Sequence, residues 1–197
     1  MRNGPTLRKF AIAFVVIESL LLIANGQSPS PAISAKASDS TLPRKVVVPI
    51  STVNRFFPEV TREASTGRNL TAVANAQTTR SVIYANSDSS KKVTITVDEY
   101  PTASDASSAY QEAVAKSKTV PGFKPVPAEN LGQDAFVGTV TQGGETHIGL
   151  GALHGTLIVG ATLAGYDSTP ENTARLISLT REEERAAKVV MDRNRQK

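Results

Sequence analysis

Residues able to do chemistry are few in this chain and widely spaced. Among 197 residues there are two histidines, His147 and His154, and no cysteine. Without cysteine there is no disulfide, no thiol nucleophile, no cysteine-ligated zinc or iron–sulfur centre and no acylated lipoprotein cysteine. Glu145 and His147 stand two apart, which puts both on one face of a strand with Thr162 across the ladder, within reach of a single cation. Two ligands without a third make no site, and the pair reads as an edge pair in solvent; His154 reads as a turn residue. Asp98, Asp134 and Glu145 are the acids a hydrolase would have to assemble, two of them within about 10 Å in a walled cleft. Ser89-Ser-Lys-Lys92 matches Ser-x-x-Lys but lies in a polar turn, where the serine cannot start a helix beside a buried lysine. Gly149-Leu-Gly151-Ala-Leu-His-Gly155 has the glycines of a dinucleotide loop, yet it crosses a hairpin instead of joining a strand to a helix. Asn69-Leu-Thr71 is a glycosylation sequon, meaningful only in a eukaryotic secretory pathway. None of these motifs implies a cofactor or a metal.

The N-terminus says more about destination than chemistry. Arg2, Arg8 and Lys9 precede the apolar run Phe10 to Ile17, which resumes at Leu20 to Ala24 and ends in the small residues Ala24-Asn25-Gly26. This is the three-part pattern of a secretory signal peptide, with cleavage expected after Gly26. The alternative is an uncleaved anchor, although a spanning helix needs about 20 consecutive apolar residues and this stretch is shorter and carries Glu18. Of 22 basic and 18 acidic side chains, three and one fall in residues 1–26. The remainder is 19 against 17, a net charge of +2 that argues against a nucleic-acid partner. Residues 27–45, rich in serine, proline and alanine, bury too little apolar surface to order themselves and are expected to be a flexible linker. A single domain is expected over 46–180, followed by a charged helical extension over 181–197.

The elements that would position any site follow from periodicity. Val53, Phe56 and Phe57 mark a brief helix, with Ser51 as its cap and Pro58 as its limit. Thr61 to Gln77 has weak periodicity and is expected to be loop. Thr79–Ala85 and Lys92–Tyr100 flank a polar turn cluster, and the second run alternates so that Val93, Ile95 and Val97 face inward while Thr94, Thr96 and Asp98 form a wet face. Ala106, Ala109, Tyr110, Ala113 and Val114 recur at helical spacing after a cap at Thr102 or Ser104. Phe136–Val140, Thr146–Leu153 and Thr156–Ala164 read as three strands joined by turns at Gly143-Gly144 and His154-Gly155. Thr169-Pro170-Glu171 opens a final helix with a capping hydroxyl, a first-turn proline and an acid. Its Arg181-to-Arg185 charge run is expected to be a solvated face.

The order α-β-β-α-β-β-β-α, in antiparallel hairpins with helices grouped on one face, predicts an α+β fold: about five strands and about three helices. The turns fix which residues share a face. Val137, Thr139, Ile148, Leu150, Ala152, Leu157, Val159, Ala161 and Leu163 should face the core. The opposite face collects Phe136, Gly138, Val140, His147, Gly149, Gly151, Ile158, Gly160 and Thr162. Its glycines admit two readings: they allow a helix or a ring to approach closely, or they floor a shallow groove rimmed by Phe136, His147 and Ile158. Phe136, Val140, His147, Gly149, Gly151, Ile158, Gly160 and Thr162 are therefore the candidate ligand-facing surface.

The helix at Ser104-Asp-Ala-Ser-Ser-Ala-Tyr110, the Leu131-Gly-Gln-Asp-Ala-Phe136 run into a strand and the Thr169-Pro-Glu-Asn-Thr-Ala-Arg-Leu176 helix carry a resemblance. Over roughly residues 50 to 180 the chain resembles small bacterial extracytoplasmic domains, the lipoproteins and receptor-kinase sensor domains of actinobacteria, related in architecture to PsbP-like folds. It lacks the acylated and paired cysteines many members carry. The resemblance implies a sensor or binding role outside the cytoplasm and supplies no ligand residue. The expectation is an exported, periplasmic or secreted, non-catalytic module whose partner is a small molecule or an envelope protein. It meets the membrane only if the N-terminal segment is uncleaved. The alternatives are the secreted hydrolase, or a membrane-tethered adaptor whose last helix docks a partner.

Overall fold

The computed structural model describes residues 42–67, 76, 78–126, 134–142 and 144–195. The expected signal segment, residues 27–41 of the linker, the Asn69 sequon and Gly143 lie outside the described residues. β-Branched residues alternating through Lys92–Glu99 (β3) give a central strand, paired antiparallel with Thr78–Ala85 (β2) on one side and Leu157–Ala164 (β7) on the other. Arg62–Gly67 (β1), Lys124–Val126 (β4), Asp134–Gln142 (β5) and Glu145–His154 (β6) complete an antiparallel sheet in the order β1-β2-β3-β7-β6-β5-β4. Among the described residues three α-helices accompany it: Ile50–Phe56 (α1), Ala103–Ser117 (α2) and Pro170–Arg195 (α3), with a 3₁₀ turn at Arg44–Val46.

The α+β class is as expected, with seven strands among the described residues in place of five. The two additions are the edges, β1 inside the stretch read as loop and the three-residue β4. The last hairpin turns at Gly155-Thr156, one residue later than read, since His154 pairs with Leu157. Both long helices start as their sequences specify. Thr102 Oγ1 accepts the Asp105 N–H at 3.1 Å and donates to Asp105 Oδ2 at 2.7 Å. Thr169 Oγ1 accepts the Asn172 N–H at 3.1 Å. α1 differs: Pro49 stands at its cap position with no side-chain bond, and Ser51 lies inside the helix.

The helices do not group on one face. Adjacent residues of β7 point to opposite sides of the sheet. Val159, Ala161 and Leu163 join Leu176, Leu179, Ala187 and Met191 of α3 in the main core, whereas Ile158 joins Ala106 and Tyr110 of α2 in a second one. The cause is topological. β3 lies in the middle and β4 at the far edge, so the connection through α2 must cross the sheet. Two boundaries also shift. The domain reaches back to Leu42, buried in the main core, so the last residues of the expected linker belong to it. No extension begins at 181: α3 is one helix whose stripe continues through Glu183, Ala187 and Val190, all buried. Leu176 and Leu179, fully buried, each contribute about 2–3 kcal/mol of burial free energy.

Candidate functional site

The α2-facing side of the sheet is organised in rows fixed by strand register. One row reads Thr79–Asp98–Ile158–Leu153, the next Ser81–Thr96–Gly160–Gly151–Phe136, and the third Ile83–Thr94–Thr162–Gly149–Gly138. Val140 and His147 pair one row further on. The eight residues of the candidate surface thus share one face. They do not lie open: Gly149, Gly151 and Gly160 are buried, as are Val140, His147, Ile158 and Thr162, while Phe136 is half-buried. α2 packs on β6 and β7. Its Ala106 and Tyr110, with Ala109 and Val114, close over Leu153, Ile158 and Phe136.

The glycine at 138 has a specific tenant. The Phe123 ring stacks on Phe136 at 5.3 Å between centroids, and a Cβ built on Gly138 would fall 2.0 Å from Phe123 Cε2. A missing side chain in β5 therefore seats the aromatic residue that precedes β4. This geometry is that of close packing, the first of the two readings of the glycine face.

β3 presents no wet face. Thr94, Thr96 and Asp98 are all buried. Polar side chains there bond to one another: Ser81 Oγ and Thr96 Oγ1 lie 3.0 Å apart, and Thr79 Oγ1 donates to Asp98 Oδ1 at 2.7 Å. Asp98 is 0% exposed and its other oxygen has no partner, nor has the buried hydroxyl of Tyr100, two residues on along the same face. Burial pushes the Asp98 carboxyl up to about 7, against the opposing Thr79 hydrogen bond, and pushes the Tyr100 hydroxyl up as well. A carboxyl in this state is a neutral hydrogen-bonding group below about pH 7, where an ordinary aspartate is already ionised. The strict alternation of Lys92 to Glu99 marks Asp98 as pointing away from the main core, but only the tertiary fold reveals the second layer above it.

The three acids proposed for a hydrolase do not converge. Asp98 and Asp134 lie at the same level of the sheet but on β3 and β5, three strand spacings apart, about 14 Å. Glu145 sits at the opposite end of β6, eight residues or about 27 Å from that level. His147 is not an edge residue in solvent either. It is 2% exposed on interior strand β6, with Nε2 3.8 Å from the Oε2 of exposed Glu145 and Nδ1 without a partner. Burial lowers its pKa, outweighing the opposing effect of Glu145, so the ring is held neutral. Among the described residues no three His, Asp or Glu side chains are grouped so as to hold a metal ion, and no helix is long and apolar enough to cross a membrane.

No protein-family model matches the chain, and no curated protein matches it. Solved structures do. The extracellular domain of PknH from Mycobacterium tuberculosis superposes with a TM-score of 0.51 at 13% identity, covering 71% of this chain and 93% of that one. The likeness is one of fold. LpqN, involved in cell envelope biogenesis of Mycobacterium tuberculosis, overlaps more loosely, with a TM-score of 0.34 at 16% identity over 62% of this chain and 75% of that one.

Proposed function

We propose that the protein is an exported, non-catalytic extracytoplasmic domain that binds a small molecule or an envelope protein, of the sensor and lipoprotein type with PsbP-like architecture. The observation that carries this reading is the fold, shared with nearly the whole of the PknH extracellular domain. The basic, apolar and small-residue segments of residues 1–26 support export. The scatter of Asp98, Asp134 and Glu145 removes the acid set on which the hydrolase alternative stood. The net charge of +2 after Gly26 favours neither a polyanion nor an anionic lipid surface. The test is mass spectrometry of the full chain expressed in a bacterium, with cytoplasmic and exported fractions compared. An exported product beginning at Gln27 supports the reading. An exported product retaining Met1 or Arg2 replaces it with the tethered adaptor, and a wholly cytoplasmic product refutes it.

A further inference from the structure

Residues 42–48 form a strap on the α3 side of the sheet, and the preceding 41 residues join the domain through it. Leu42, Val46, Val47 and Val48 are buried in the main core. Its backbone is held by side chains from two directions. Arg80 of β2 donates to the Leu42 carbonyl at 2.8 Å, and the Tyr84 hydroxyl, also on β2, donates to the Val48 carbonyl. From α3, Glu183 Oε2 accepts the Val48 N–H at 2.8 Å.

Glu183 is 0% exposed, and its second oxygen is buried without a partner. The groups that face it are Arg44 of the strap and Tyr84 of β2, with Glu63 of β1 behind Arg44. Arg44 is already engaged, donating to Glu63 Oε1 at 3.2 Å, to the Tyr84 hydroxyl at 3.0 Å and to the Val47 carbonyl at 2.7 Å. On α3 itself, Glu182 turns outward to Arg185 at 3.1 Å and to Arg55 of α1 at 3.7 Å. A carboxylate at 183 would therefore hold its charge with one oxygen neither solvated nor bonded, a costly state. Water reaches that oxygen only if the cover moves, and the strap is seven residues against the 26 of α3.

We propose that residues 42–48 are a proton-gated latch: protonated Glu183 keeps the strap seated between α3 and β2, and release of that proton to solvent frees the strap while the sheet stays intact. Burial raises the Glu183 carboxyl from 4.5 to about 8, against the Val48 amide and Arg44, so the seated strap weakens progressively through neutrality and the loss is complete near pH 8.

Hydrogen exchange of the full chain from pH 6 to 9, corrected for the intrinsic pH dependence of exchange, tests this. Protection of the strap amides is expected to fall about tenfold per pH unit up to about pH 8 and to level off above it, while β6 and β7 stay constant. Glu183→Gln should flatten the strap response, and Asp98→Asn should leave it in place. A flat wild-type strap, parallel loss in strap and sheet, or an unchanged response in Glu183→Gln overturns the proposal. Should Glu183→Gln not fold, a carbon-13 titration of the wild-type glutamate carboxyls decides. A Glu183 midpoint raised toward 8 together with loss of strap protection over the same pH range upholds the latch, and a midpoint in the ordinary range of about 4 to 5, or strap protection that stays constant as Glu183 titrates, overturns it.

Discussion

Replacing Asp98 by asparagine separates the shape of a buried side chain from its charge. The amide keeps the acceptor that Thr79 Oγ1 donates to and places an NH₂ where the unpartnered oxygen stands. The wild-type carboxyl is held at about 7 against an ordinary 3.8. At about 1.4 kcal/mol per pH unit that gap corresponds to about 4 kcal/mol. Through that window the folded protein keeps a proton that the unfolded chain has released, so the contribution of Asp98 to wild-type stability falls as pH rises from about 4 and levels off above about 7. The Asp98→Asn variant has no proton to lose at this position. Its cost is an unpaired donor, about 1–3 kcal/mol at every pH. The variant should thus be the weaker protein at pH 4 and the stronger at pH 8, with the difference moving by about 4 kcal/mol between them. The Glu183 titration is common to both proteins and cancels in the difference. Urea unfolding followed by circular dichroism is the assay, since the chain has no tryptophan to report by fluorescence. A difference that is flat with pH, or that moves the other way, would refute the account of Asp98 as a desolvated acid.

Further outcomes follow from packing. Gly138→Val drives a side chain into the Phe123 ring and should cost about 1–3 kcal/mol or more, read as a lowered Tm, with Phe123→Ala in the same background recovering part of the loss. Gly165→Ala should destabilise more than Gly144→Ala. Both have φ near +80°, but a Cβ at 165 lies 1.9 Å from the Ser90 carbonyl oxygen and one at 144 meets nothing within 4 Å. Gly160→Val should also lower Tm, because position 160 is buried on the face that α2 covers. Leu179→Ala should cost about 2–5 kcal/mol in chemical unfolding, whereas Val189→Ala, at an exposed position on the same helix, should change stability by less than about 0.5 kcal/mol.

The hairpins were legible because two independent signals agree in them. Short glycine turns and the alternation of Val137 to Thr139, Ile148 to Ala152 and Val159 to Leu163 specify the same register. The edges were not. Arg62 to Ser65 are exposed, and a bulge between Glu63 and Ser65 interrupts the pairing, so β1 has no buried alternation to read. β4 is three residues with Pro125 at its centre, a composition that edges tolerate but that gives no strand signal. Glu183 was hidden by its neighbours. Leu176, Leu179, Glu183, Ala187 and Val190 follow one helical stripe, yet Glu183 sits in Arg-Glu-Glu-Glu-Arg, and composition there suggests water on every side. For the candidate site, sequence placed the eight residues on one face correctly. Whether that face is covered depends on where α2 runs, and that is decided by β7 inserting beside β3, a pairing between residues more than fifty positions apart.

That pairing also governs the order of assembly. β1 to β3 form one piece of sheet and β4 to β6 another, and only β7 joins them through hydrogen bonds to both β3 and β6. For a chain emerging from a ribosome or a translocation channel, neither piece can close until residue 164 is free, because the connecting strand comes last. α3, which covers the joined sheet, follows it. Such a chain stays open until most of it has passed through, and then closes around its final strand and helix in one late, long-range step.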